Sequence, residues 1–194
     1  MGEWTPREKK PVAELYRRFA EGIEPFLVSD VSMIVSNAKP LDLKCRSPLP
    51  PELRLYVFNC TDHPAERRAG DYRIQMRLAG QKKKERGHLE AMPGSMLILA
   101  GYVSEFDVFV LWDALLHREF PYSKGVQVAG STVHQAAING MAEQRRRVRG
   151  QNSEERLVAV RADRLVDGIN FRERVSREKL MDDHDDDTLP FGTV

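Results

Sequence analysis

Apolar and polar side chains alternate without interruption along residues 71–78. The order is Asp71, Tyr72, Arg73, Ile74, Gln75, Met76, Arg77 and Leu78. Successive side chains on a strand point to opposite faces, so this period predicts a half-buried strand. One of its faces enters a core, and the other presents two guanidinium groups around an amide. That polar face is either an ordinary solvated sheet surface or a surface that contacts a ligand.

Further segments rich in β-branched and aromatic residues are predicted as strands. They cover residues 53–60, 96–103, 107–112, 126–128 and 157–160. The short Ser104-Glu105-Phe106 connection predicts a hairpin between the second and the third of them. The polar segments 61–70, 80–94 and 114–125 are interpreted as loops.

Helical spacing of apolar residues is confined to the flanks and to one crossing. Apolar residues between Val12 and Phe19 predict an amphipathic helix that ends near Gly22. Ser131 or Thr132 is expected to cap a helix that runs through Met141, with the arginines of 145–149 in an exposed connection after it.

The remaining segments give weaker patterns. Residues 26–35 fit either a strand or a short helix, and the prolines of 39–51 predict a loop or an extended connector. Asp163 is expected to cap a final helix, which beyond Arg172 becomes a solvated helix that frays.

Many short strands with few helices predict a mainly β, α+β fold, either an antiparallel open barrel or a sandwich. The regular strand–helix alternation of a doubly wound sheet is absent from the pattern. We expect a helix and connector in residues 1–52, a β domain in 53–170, and a charged, disordered tail in 171–194.

Composition agrees with a folded protein. The chain has 194 residues, of which 41% are hydrophobic, so a single domain with flanking arms can bury a proper core. Cys45 and Cys60 give no disulfide framework and suit a reducing compartment. No apolar run has the length of a membrane span, and the N-terminal residues lack the apolar core of a signal peptide. We therefore expect a soluble, cytoplasmic protein with no membrane partner.

Charges are segregated along the chain although they nearly cancel, with 30 lysines and arginines against 29 aspartates and glutamates. Basic runs occupy residues 82–86 and 145–149, and aspartates fill residues 182–187. Such blocks are usually solvated loops or tails and sometimes interaction arms. The aspartates are expected to be plain disorder, with the alternative that they act as a polyanion that competes with DNA for the basic loops.

Several segments, taken in chain order, carry a resemblance to a known family. They are Leu55-Tyr56-Val57-Phe58-Asn59-Cys60-Thr61, residues 71–77, Leu97-Ile98-Leu99-Ala100-Gly101-Tyr102, residues 107–113, residues 123–128 and Leu157-Val158-Ala159-Val160-Arg161. Together they resemble the methylase-associated DNA-binding domains found beside methylases and endonucleases in bacterial restriction–modification systems. That type is similar to the restriction-endonuclease recognition domains of the DNA-binding pseudobarrel superfamily. The resemblance spans residues 53–168 and includes no catalytic signature.

The resemblance implies that two arms clasp the major groove of DNA, one from residues 73–86 and the other from residues 117–127. Arginine and glutamine suit the edges of guanine and adenine, whereas lysine, tyrosine and serine suit phosphates. The expected DNA-binding residues are Arg73, Gln75, Arg77, Lys82, Lys83, Lys84, Arg86, Tyr122, Ser123, Lys124 and Gln127. A solubilising loop is the alternative explanation for the lysines. Trp112 is expected in the core, and His117 is expected to be an ordinary loop histidine.

Candidate catalytic residues do not assemble into a site. Asp42-Leu43-Lys44 has a nuclease-like spacing but lies in the proline-rich segment without a partner acid, and Cys60 and His63 are merely neighbours. No spacing predicts a zinc site, and no glycine motif predicts a nucleotide. We therefore expect no metal and no cofactor.

The expected function is non-catalytic recognition of double-stranded DNA, as the specificity component of a restriction–modification or related bacterial defence system. A separately encoded nuclease or methyltransferase would be its partner. The alternatives are a small metal-dependent nuclease and a protein-interaction subunit of such a system.

Overall fold

The structure is a computed structural model that describes residues 9–34, 39–62, 70–148 and 153–185. Its helices are α1 (Val12–Glu21), α2 (Gly130–Asn139) and α3 (Leu165–Asp185). Its strands are β1 (Leu41–Lys44), β2 (Glu52–Asp62), β3 (Tyr72–Met76), β4 (Gly87–His88), β5 (Met96–Val103), β6 (Val108–Trp112), β7 (Glu119–Phe120), β8 (Lys124–Val128), β9 (Met141–Arg147) and β10 (Glu154–Arg161).

The main sheet has the strand order β8-β3-β2-β5-β6-β10-β9, with β1 also paired to β2. It is curled into a half-barrel. β4 and β7 form a small separate ladder. The predicted mainly β, α+β class is confirmed.

The prediction of an antiparallel sheet is wrong for one pair, because β2 and β5 run parallel from Leu53↔Met96 to Asn59↔Tyr102. The cause lies in the path of the chain. β3 pairs antiparallel with one edge of β2. β5 then begins beside the first residues of β2 and runs in the same direction as β2 along its other edge. Residue patterns identify strands but not which strands are neighbours in the sheet, so the sequence did not predict the pairing of β2 with β5.

Apolar side chains cover both faces of the sheet. On one face α1 and α3 contribute Phe19 and Ile169 to a cluster that includes Phe109 and Val160. On the other face Ile74, Trp112 and Val133 belong to a second cluster, which α2 covers. The predicted core position of Trp112 is therefore confirmed. A strand between two covered faces has no polar alternation, which explains the unbroken apolar run of β6.

The predicted half-buried strand at residues 71–78 is present as β3. Ile74 and Met76 are 0% exposed, whereas Gln75 is exposed to solvent. The amphipathic helix that ends near Gly22 is confirmed as α1. Residues 26–34 form no strand and instead include short 3-10 turns.

The basic run of 145–149 was placed wrongly, because residues 145–147 belong to β9 and not to a connection. Gly140, with φ +89°, ends α2, and β9 then pairs with β10 from Met141↔Val160 to Arg147↔Glu154. The residues of β9 after Ala142 are all polar, so β9 lacks the alternation of apolar and polar residues that predicts a strand.

Three smaller expectations were also wrong. Part of the proline-rich segment is β1, which pairs with β2 from Leu41↔Leu55 to Lys44↔Glu52. Neither Ser131 nor Thr132 caps α2, which begins after Ala129 without a side-chain cap. Asp163 lies inside a 3-10 turn, Ala162–Arg164, that leads directly into α3. The helix expected past Arg172 is present and continues to Asp185.

Candidate nucleic-acid interface

The two predicted arms are joined in the structure by the ladder between β3 and β8. Arg73 pairs with Gln127 and Gln75 pairs with Gly125. Opposed residues of a ladder share a face, so these positions all lie on the outer face, opposite the buried Ile74. Arg73 and Gln75 of one implied arm and Gln127 of the other therefore share one surface, which we call the β3–β8 face.

Side chains on the β3–β8 face contact one another across the ladder. Gln75 donates from Nε2 to Ser123 Oγ at 2.7 Å. The guanidinium carbon of Arg77 lies 5.0 Å from the centre of the Tyr122 ring, which is a cation–π contact. Because Gly125 has no side chain, the stem of Arg73 crosses it, with Arg73 Cδ 4.0 Å from where a Cβ would be. These contacts restrict long side chains that would otherwise be free to rotate.

The lysine loop, residues 77–86, follows β3 and is braced by its own hydrogen bonds. Gln81 accepts from the Leu78 amide at 3.2 Å and donates to the Glu85 carbonyl at 3.1 Å. The Glu85 carboxylate accepts from the Lys82 amide at 3.0 Å. The side chains of Lys82, Lys83 and Lys84 point into solvent. The backbone of the loop is thus fixed while its ammonium groups stay exposed.

The ladder of β4 and β7 attaches the lysine loop to the second predicted arm. Gly87 pairs with Phe120, and a Cβ at Gly87 would lie 2.4 Å from the Phe120 ring. Arg118 donates to His88 Nε2 at 3.2 Å, and Arg86 lies 3.6 Å from the Glu119 carboxylate. His88 was missed by the sequence analysis, because two-residue strands are too short to show a period.

Lys124 differs from the other predicted residues in the direction of its side chain. Its register partner is Met76, so it lies on the inner side of the ladder. Lys124 Nζ is 3.1 Å from His117 Nδ1. Burial lowers the pKa of Lys124, and the charge of Arg146 adds to this effect while Glu155 opposes it. The ammonium therefore belongs to a network beneath the β3–β8 face.

That network centres on Glu155, which is 0% exposed. Its carboxylate accepts from His117 Nε2 at 3.0 Å and from Arg146 Nε at 2.7 Å. Burial raises the pKa of Glu155, but the hydrogen bonds from His117 and Arg146 and the charge of Arg146 outweigh it and bring the pKa to about 2. His117 is itself buried, so the expectation of an ordinary loop histidine was wrong.

The arginines of β9 are divided between the two faces of their strand. Arg146 points inward to Glu155, whereas Arg145 points outward and lies 3.2 Å from Glu143. The same Glu143 carboxylate lies 2.7 Å from Arg156, and this contact lowers the pKa of Glu143. Arg149 lies outside the described residues. The basic run is therefore not one phosphate-binding cluster.

Candidate catalytic residues remain apart. Asp42 lies on β1 and binds Arg54 at 2.8 Å. Within the described ranges, no group of three or more histidine, cysteine, aspartate or glutamate residues is placed to hold a metal ion. Cys45 and Cys60 are buried, and burial raises the pKa of the Cys45 thiol to about 11. His63 lies outside the described residues.

Comparison with known protein families gives one match. The model of the family described as methylase-associated X1 matches residues 51–169. The chain belongs to the methylase-associated X1 family. The matched part of this methylase-associated protein contains β2 to β10 and thus the whole β3–β8 face and the lysine loop. No curated protein and no solved structure matches the chain. Among the described helices, none is long and apolar enough to cross a membrane.

Proposed function

We propose that this protein is a non-catalytic module that recognises double-stranded DNA through the β3–β8 face. The observation that carries the proposal is the juxtaposition of Arg73, Gln75 and Gln127 on one ordered ladder. Arginine and glutamine are the side chains that read guanine and adenine bidentately. The major groove is also wide enough to admit a two-stranded β-ribbon.

Base readers and phosphate contacts are separated along this surface. Arg73, Gln75 and Gln127 would read base edges from the ladder, with Arg77 and Tyr122 beside them. Lys82, Lys83, Lys84 and Arg86 would bind phosphates from the lysine loop, where mobile ammonium groups suffice. Phosphate contacts fix the register of a protein on the duplex, and base contacts give it specificity. Ser123 serves the readers by bonding Gln75.

The curled sheet supports the proposed relation to the DNA-binding pseudobarrel. Arg146 of β9 donates to the main-chain carbonyl of Gln127 on β8, so one side chain connects the two ends of the strand order. We propose residues 53–170 as the DNA-binding domain, which agrees in extent with the family match at 51–169. α1 and the later part of α3 would then be elements that flank this domain.

The family description supports a role beside a methylase. We propose that the module supplies sequence specificity in a restriction–modification or related defence system. Its partner would be a separately encoded methyltransferase or nuclease. A module of this kind needs no metal site of its own.

Titration of labelled duplex DNA at several salt concentrations tests the proposal. If four to six cations contact phosphates, the binding constant should fall as the salt concentration rises. A plot of the logarithm of the binding constant against the logarithm of the salt concentration should have a slope of about −4 to −5. A slope near zero for the intact protein would contradict DNA binding and favour a protein-interaction subunit. Cleavage of plasmid in Mg²⁺ or Mn²⁺ would instead favour the nuclease alternative.

A further inference from the structure

The main chain of β8 is held from beneath by side chains that do not reach the β3–β8 face. Among the described strands, β8 pairs only with β3 and so forms an edge of the sheet. The carbonyl of Gln127 accepts from Arg146 Nη1 at 2.6 Å and from Trp112 Nε1 at 3.2 Å. Two side-chain donors therefore fix the backbone at the position of a proposed base reader.

Arg146 is itself held by Glu155. The distance from Arg146 Nη2 to the carboxylate is 2.6 Å, and Nε donates to the same oxygen at 2.7 Å. Arg146 thus uses one side of its guanidinium for Glu155 and the remaining nitrogen for Gln127. A planar fork with several donors can make this bridge, whereas a single ammonium group cannot.

His117 connects the same carboxylate to the start of β8. An ammonium group has no acceptor, so Lys124 Nζ must donate to His117 Nδ1, and Nε2 then donates to Glu155. Glu155 also accepts from the Asp113 amide at 3.0 Å. One buried carboxylate therefore holds both Lys124 and Gln127, which lie toward opposite ends of β8.

We infer that Glu155 and Arg146 are positioning residues for sequence readout by β8. The inference rests on the proposed function, since it assigns these residues a part in DNA recognition. Buried ion pairs are a poor source of stability, because removing charges from water offsets most of their attraction. Base recognition, by contrast, requires side chains to be held within about 0.5 Å of the productive geometry. A buried network bonded to the main chain of a reader supplies that precision.

Arg146→Lys tests the inference, with Arg145→Lys as the matched control. Both variants keep the charge, but Arg145 points away from the network and its side chain is 59% exposed. Arg146→Lys should lower the ratio of specific to random duplex binding by about fivefold or more. Its salt slope should stay unchanged, which separates positioning from direct phosphate contact. Arg145→Lys should leave both quantities at the wild-type value.

Amide hydrogen exchange of the free protein gives a second readout. Arg146→Lys should speed exchange in residues 124–128 and leave β5 and β6 protected. Glu155→Gln, which keeps the shape of the side chain, should act in the same direction as Arg146→Lys. Unchanged exchange and an unchanged binding ratio in Arg146→Lys would overturn the inference, as would an equal loss in Arg145→Lys. Faster exchange in a protein that binds no duplex would overturn the proposed function and leave only the structural anchoring.

Discussion

Gln75 donates its side-chain amide to the hydroxyl of Ser123 at 2.7 Å, across the ladder of β3 and β8. The two residues come from segments that the resemblance places in separate arms. Their contact, together with the pairing of Arg73 and Gln127, makes one rigid ribbon of these segments. A rigid ribbon can present several base readers in a fixed register, which two independently mobile loops cannot do.

The two faces of β3 should respond differently to substitution. Ile74 is fully buried, so Ile74→Ala should lower the free energy of unfolding by about 2–5 kcal/mol. Arg73→Ala and Gln75→Ala should leave stability almost unchanged, while each costs about 1–3 kcal/mol of discrimination at one base pair. Melting temperature and the specific-to-random binding ratio, measured on the same variants, check this. A fold that melts on loss of Arg73 or Gln75 would make these side chains structural.

Ser123 should affect recognition only through Gln75. Ser123→Ala removes the acceptor that orients the Gln75 amide, so it should weaken discrimination at the base pair that Gln75 reads. In a double-mutant cycle, Ser123→Ala should add little to Gln75→Ala, because the two act as a unit. Binding to duplexes that differ at that one base pair measures the effect. Fully additive losses would show that Ser123 makes an independent contact.

The lysine loop should contribute affinity without specificity. Changing Lys82, Lys83 and Lys84 together to glutamine should weaken binding to all sequences alike. It should also reduce the salt slope by up to about 3, at roughly 0.9 for each phosphate that the variant no longer neutralises.

A matched control removes the same charge from other surfaces, with Arg17, Lys44 and Arg174 changed to glutamine. These side chains are exposed on α1, β1 and α3. Anisotropy titrations of both triple variants at several salt concentrations compare the slopes. Equal slopes would mean that the lysines act only through the overall charge of the protein.

Acid should destabilise the protein through Glu155. Its pKa, about 2, lies below the ordinary glutamate value, so the unfolded chain binds a proton at higher pH than the folded protein does. The stabilisation by ionised Glu155 is therefore complete above a pH of about 4.5 and is lost as the pH falls toward 2. The loss lowers the free energy of unfolding by about 3 kcal/mol in all.

Denaturant unfolding between pH 7 and pH 2 measures this dependence as the difference between the wild type and Glu155→Gln. The difference should shrink through that window. Asp163→Asn is the control, since the Asp163 side chain is 60% exposed and its contact with Arg161 is screened by solvent. A constant difference between wild type and Glu155→Gln at every pH would show that folding does not shift the pKa of Glu155.

Local patterns predicted those elements that carry their own apolar signal. The alternation from Tyr72 to Leu78 predicted β3 and the buried positions of Ile74 and Met76. The same period at Val126 and Val128 places Lys124 on the inner side, so the direction of this side chain was available in the sequence and was missed. β9 has no such signal, because its inward positions include Gln144 and Arg146.

Contacts between distant residues account for the rest. His117 and Glu155 are separated by 38 positions, and no local pattern relates a loop histidine to a glutamate on another strand. The parallel pairing of β2 with β5 likewise depends on where β3 returns. Strand order and buried polar networks are properties of the tertiary structure, and composition alone does not determine them.

Selection of bound duplexes from a random library, with and without methylated bases, tests the central claim most directly when the wild type and Gln75→Ala are compared. If the β3–β8 face recognises DNA sequence, the wild type should enrich a defined motif. Gln75→Ala should then lose the preference at one position of that motif and keep the others. Failure of the intact protein to enrich any motif, or an identical motif from Gln75→Ala, would contradict recognition through this face.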